Sequence, residues 1–147
     1  MMTLLQSVIF MMLLSFFIQY YVMSVIMTND LTNIRNSLGK VYMSGIMALL
    51  MGIVEVAMND YYMNMISAKY YIVLFILLGT LYYMYKTQQY IYDIDYLNEM
   101  IEHHSMALTT SGEILKKTSD PKVKILASKI INTQEDEIQY MKSLLGK

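Results

Sequence analysis

The chain has 147 residues, 56% of them hydrophobic and only 16% charged, with a formal net charge of -1. A soluble domain usually carries about 25% charged residues, and no basic stripe tracks through this sequence, so nucleic acid is excluded as a partner. Cysteine is absent, which removes disulfides, thiolate metal sites and thiol nucleophiles.

The first apolar block runs from Leu4 to Met27, interrupted mainly by Gln6, Ser7, Ser15, Gln19 and Ser24. It covers the roughly 20 residues a spanning helix needs. No Lys or Arg precedes it and no small-x-small site follows, so it reads as a span rather than a cleaved signal. The polar run TNDLTNIRNSLGK, residues 28–40, is expected to be a loop. A second block at 41–57 (VYMSGIMALLMGIVEVA) ends near Glu55, and a third covers 70–85 (YYIVLFILLGTLYYMY). Tyr61-Tyr62, Tyr70-Tyr71 and Tyr82-Tyr83 bracket these blocks, as expected of residues that favour the headgroup layer. The expectation is a multi-pass membrane region over residues 1–92, with the lipid bilayer as partner. Arg35, Lys40 and Lys86 would share one side against Lys69 and the terminal amine, a margin too small to orient the chain.

Charged residues concentrate after Asp93, and residues 93–147 read as two amphipathic helices. The first is expected over about 94–117, with acids early and Lys116-Lys117 in the last turn, as the helix dipole favours. Thr118-Ser119-Asp120-Pro121 is the turn, with Ser119 or Asp120 as cap and Pro121 at the first helical position. The second helix runs to about Leu145, before Gly146. The fold class is therefore all-α: about three transmembrane helices, then an antiparallel two-helix hairpin. A hairpin alone buries too little surface to be stable. It is expected to pack on the membrane helices or on a second copy, giving a homo-oligomer with a four-helix bundle.

Helix one carries the stripe Leu97, Met100, His104, Ala107, Ser111 and Ile114, widened by Ile101, Leu108 and Leu115. Helix two carries Val123, Ala127, Ile130, Gln134, Glu137, Met141 and Leu144. Polar His104, Gln134 and Glu137 break these stripes, and buried polar groups are costly unless paired. Equal rise along antiparallel helices sets His104 opposite about residue 134 and Met100 opposite about residue 138. Met100, His103, His104, Glu137 and Met141 should thus lie close together, and Met106 joins only if its side chain swings back. Imidazole and thioether are donors that monovalent copper prefers, and Glu137 suits divalent copper or the distal nitrogen of a ligating histidine. On spacing alone two readings stand: a copper site, or a core in which Met packs and His104 donates to Glu137.

The segment Tyr96-Leu97-Asn98-Glu99-Met100-Ile101-Glu102-His103-His104-Ser105-Met106-Ala107 resembles the signature of the family called domain of unknown function 305. Asp120-Pro121-Lys122-Val123, Leu126-Ala127, Ile130-Ile131, Gln134, Glu137-Ile138 and Met141-Lys142 follow in the family's register. Val41 through Met51 is similar to the second span of a membrane-anchored branch. The resemblance implies a ferritin-like half-bundle and, as in some members, copper bound through Met and His, here for sequestration or homeostasis. It departs where relatives often carry Pro before the histidine pair, here Glu102, and a further Met in the next turn, here Thr109-Thr110.

No enzyme is expected. Di-iron sites need Glu-x-x-His pairs on two helices, whereas Glu99 is followed at that spacing by Glu102, and Glu102 by Ser105. No phosphate-cradling glycine loop or small-molecule substrate site is evident. Two alternatives remain. Met43, Met47 and Met51 form a file extended by Glu55, resembling copper-uptake channels, although Gly79 is the only small residue that the pattern would use in the third span. Otherwise the hairpin serves self-association without metal.

Overall fold

The computed structural model describes residues 2–146, and among these the chain is all-α, built on five helices. They are α1 (Leu4–Met27), α2 (Leu38–Met63), α3 (Ala68–Lys86), α4 (Asp93–Lys117) and α5 (Pro121–Leu144). Met1 and Lys147, the outer ends of the two expected regions, lie outside the described residues. By length and composition α1, α2 and α3 can each cross a membrane, with mean hydropathy 2.0, 1.9 and 1.3. The expected spans fall inside these helices, but α2 is longer at both ends than 41–57. Its final turns are polar, with Asn59 and Asp60, so an apolar run alone stops short of the helix end.

The chain divides into two compact units: Met1–Val22 with Leu38–Tyr90, and Met23–Ser37 with Ile91–Lys147. The stretch at 28–40 is therefore more than a connecting loop. Leu31–Asn33 form a 3-10 turn capped by Asp30, whose Oδ1 accepts from the Thr32 amide at 2.8 Å, and Leu38 already opens α2.

In the first unit α2 packs on both α1 and α3. Thr3 and Gln6 form a reciprocal capping box at the start of α1, and a π-helical turn at Ile18–Val22 precedes its last turns. Val8, Leu49, Val56 and Leu74 make the core. Small residues let helix backbones approach one another closely. Gly52 is such a residue where α1 meets α2: a Cβ there would sit 2.9 Å from Met12 Cγ. Across the same interface Ser7 Oγ donates to Glu55 Oε1. The methionine file faces elsewhere, with Met43 and Met47 exposed and Met51 half-buried.

In the second unit α4 and α5 form the expected antiparallel hairpin. Asp120 is the N-cap of α5, its Oδ1 accepting from the Lys122 amide at 2.8 Å, with Pro121 in the first turn. Ile101, Leu108, Ile138 and Met141 form the core, flanked by Leu97, Met100, Ile131 and Leu145. Of the expected α5 stripe, Ala127 and Met141 are buried and Ile130 and Gln134 half-buried, whereas Val123, Glu137 and Leu144 are exposed and Ile131, Ile138 and Leu145 pack in their stead. On α4 the flank residues Ile101 and Leu108 are buried as expected, whereas Ile114 is exposed. On the other flank of α4, Met23–Ser37 packs and holds Glu102 and Ser105 inward.

Candidate metal site on the helical hairpin

The seam between α4 and α5 places His104 beside Glu137, with His104 Nδ1 3.0 Å from Glu137 Oε2. The side chains are 13% and 48% exposed, so the imidazole is largely enclosed while the carboxylate reaches solvent. Nδ1 is buried without an aligned hydrogen bond, although it lies at ion-pair distance from the carboxylate. Gln134 Nε2 donates to the same Oε2 at 3.3 Å, which orients Glu137 toward the seam. Burial pushes the His104 pKa below its ordinary value; Glu137 opposes that shift and His103 adds to it. Neutral imidazole, the form that binds metals, is therefore the resting state at neutral pH.

The other candidate residues distribute as helix geometry dictates. Met100, one turn before His104, packs against the core that contains Met141, and Met141 itself is buried. His103 is exposed, its ring centroid 6.2 Å from that of His104 and tilted across it. Met106 is half-buried and, at about 100° per residue, points some 160° away from His104 around the helix. The seam therefore brings His104 and Glu137 together beside the core that holds Met141 and Met100, and leaves His103 and Met106 at its margins. Among the described residues no three His, Asp or Glu side chains converge as a metal cluster. Only His104 and Glu137 are in direct contact; Met100 and Met141 belong to the adjoining apolar core. Imidazole and thioether are donor types that soft monovalent copper prefers and hard cations do not.

One polar cluster had no role in the sequence reading. Glu102, 5% exposed, accepts from Ser24 Oγ at 2.6 Å and from the Arg35 amide at 2.8 Å. Ser105, fully buried, accepts from the Asn29 amide at 3.2 Å and from Asn33 Nδ2 at 3.4 Å, and donates to Asn29 Oδ1. Glu102 stands where the family pattern often has Pro, and it anchors the polar segment to the histidine-bearing helix. The only sequence signal for it was a carboxylate and a serine at i, i+3 beside apolar Ile101 and Leu108. Glu99, on the outer turn, has its pKa raised by burial, opposed by His103 and reinforced by Asp95 and Glu102.

The model of the family described as domain of unknown function (DUF305) matches residues 84–147, which include both hairpin helices. The chain is also similar over nearly its whole length to uncharacterized protein L153 of Acanthamoeba polyphaga mimivirus. They are 34% identical over 142 residues, or 96% of this chain and 93% of that protein. The chain belongs to the DUF305 family. No solved structure matches it. Within the DUF305 match lie both histidines, Glu137 and Met141, so every candidate ligand falls in the family's own segment. The similarity to the mimivirus protein reaches beyond that segment into the apolar helices.

Proposed function

We propose that this DUF305 protein is a multi-pass membrane protein that binds copper on its hairpin, without enzymatic chemistry, in metal sequestration or homeostasis. The observation that carries the reading is His104: a largely buried, neutral imidazole between two helices, with Glu137 at 3.0 Å and Met100 and Met141 in the adjoining core. His104 and Met100 would supply the donors nearest the seam, Met141 a further thioether, and His103 a donor at the surface. Copper bound there supplies a soft cation held against exchange with water. Glu137 holds the imidazole in orientation through its Nδ1 side.

The same contact also supports assembly without metal, since Glu137 gives the enclosed imidazole a polar neighbour and Met141 packs as an ordinary core residue. A translocation pathway would need several copies to bring the methionine file together, since Met43 and Met47 lie exposed on α2. The deciding experiment is a Cu(I) titration of the full chain in detergent against a competing chelator, beside a His103→Ala/His104→Ala variant. Stoichiometric binding lost in the variant establishes the site. Equal, weak binding by both chains removes the copper reading and leaves assembly.

A further inference from the structure

The hairpin is electrically polar along its length. Among the described residues Lys116, Lys117, Lys122, Lys124 and Lys129 outnumber Glu113 and Asp120 at the turn end, whereas Asp93, Asp95, Glu99, Glu135, Asp136 and Glu137 outnumber Lys142 at the other. Antiparallel packing of α4 on α5 therefore puts like charges side by side instead of cancelling them. On α5 Lys122 and Lys124 at the start oppose the helix dipole, while Asp120 at the N-cap and Lys142 in the last turn follow it. Such an arrangement is relieved when a second hairpin lies alongside in the opposite direction.

A face for that neighbour is present. Leu126, Ile130, Thr133, Glu137, Tyr140 and Leu144 recur at alternating steps of four and three, the spacing of a helix–helix seam. This is not the stripe packed on α4: Leu126, Tyr140 and Leu144 are 57%, 65% and 56% exposed. Glu137 belongs to this open stripe and also touches His104, so the candidate metal site lies at its edge.

We infer that a second copy of this chain seats on the open face, α5 against α5, antiparallel about Thr133. A single self-complementary patch then serves both copies, as two-fold symmetry requires. Pairing about Thr133 sets Leu126 opposite the second copy's Tyr140 and Lys129 beside the second copy's Asp136 and Glu137. Each copy thus contributes a cation to the carboxylate that orients the other's His104, and covers the edge of its seam. The pairing rests on the hairpin's charge and exposure and not on the copper reading.

The test exploits the absence of native cysteine. Thr133→Cys in the full chain, reconstituted in vesicles and oxidised with diamide, is expected to give a disulfide-linked dimer. Ser128→Cys, on another face of α5, should remain monomeric. Lys129→Glu should abolish the Thr133→Cys cross-link, and Lys129→Glu/Asp136→Lys should restore it. Equal cross-linking at both positions, none at Thr133→Cys, or no rescue by the charge swap overturns the inference. Cross-linking without Cu(I) binding counts against the proposed function alone, and Cu(I) binding without cross-linking counts against this pairing alone.

Discussion

Ser24 donates its hydroxyl to Glu102 Oε1 at 2.6 Å across 78 positions of sequence, and it does so in a buried setting. With the Arg35 amide on the other oxygen, one carboxylate closes both ends of the 23–37 segment onto α4. Hydrogen bonds to a charged group are the stronger kind, and removing one partner strands the others in a dry interior. Glu102→Ala should therefore cost about 3 kcal/mol. Amide hydrogen exchange gives the sharper reading: Arg35 should lose protection while Ile138, in the hairpin core, keeps it. Retained protection at Arg35 would show that the carboxylate does not hold the segment.

Much of the hairpin was legible because its signals are local. Asp120 and Pro121 mark a helix start wherever they occur together before an apolar stripe, and equal rise along two helices brings residue 104 near residue 137 by arithmetic alone. Which flank of the α5 stripe packs was not legible. Ile130 and Ile131, like Leu144 and Leu145, are adjacent apolar pairs, so two stripes one residue apart both look like cores. Only the packing of Ile131 and Leu145 chooses between them. Nor did the sequence disclose the anchoring by Glu102. Its partners sit at the end of an apolar run and in a polar stretch, and a contact between distant residues leaves no periodic trace.

Stability of the metal-free chain should fall in mild acid. His104 has a pKa below its ordinary 6.5 because burial disfavours the imidazolium. As pH drops through 6.5 the unfolded chain takes up the proton first, so the native state loses stability until its own lower pKa is passed. Glu99 acts in the opposite sense, since its raised pKa means stability is lost as pH climbs through and above 4.5. Thermal melts in chelator at about pH 5 and about pH 7.5 should differ less for His104→Asn than for the parent chain. Glu99→Gln should remove only the carboxylate contribution. An unchanged pH profile in His104→Asn would show that the imidazole is not held neutral by its surroundings.

Gly52 and Gly79 make a matched pair for testing how the apolar helices are held. At Gly52 a Cβ would meet Met12 Cγ at 2.9 Å, whereas at Gly79 nothing lies within 4 Å. Gly52→Val should push α1 from α2 and cost about 1–3 kcal/mol through overpacking. Gly79→Ala should be neutral or gain up to about 1 kcal/mol, because it only stiffens the helix. Unfolding in mild detergent, followed by circular dichroism, separates them. Equal effects would mean that α1 and α2 do not approach at Gly52.

The junction between α2 and α3 rests on Asp60. Its carboxylate, 8% exposed, accepts from the Ser67 amide at 2.8 Å and from Ser67 Oγ at 2.7 Å. Ser67 stands at the N-cap of α3, yet its own side chain makes no capping bond. Asp60 holds the Ser67 amide and hydroxyl from the preceding helix, while Asn64, at φ 49°, reverses the chain between them. Asp60→Ala leaves the buried amide without an acceptor and should cost about 1–3 kcal/mol. Ser67→Ala removes one of the two bonds and should cost about 1 kcal/mol. Because both changes break the Oγ contact, the double variant should cost less than their sum, and unfolding of the three chains in detergent measures the difference. Strict additivity would mean that Asp60 acts without Ser67, through some other part of the turn. Asn64→Gly should be tolerated throughout, since glycine adopts the left-handed backbone without steric cost.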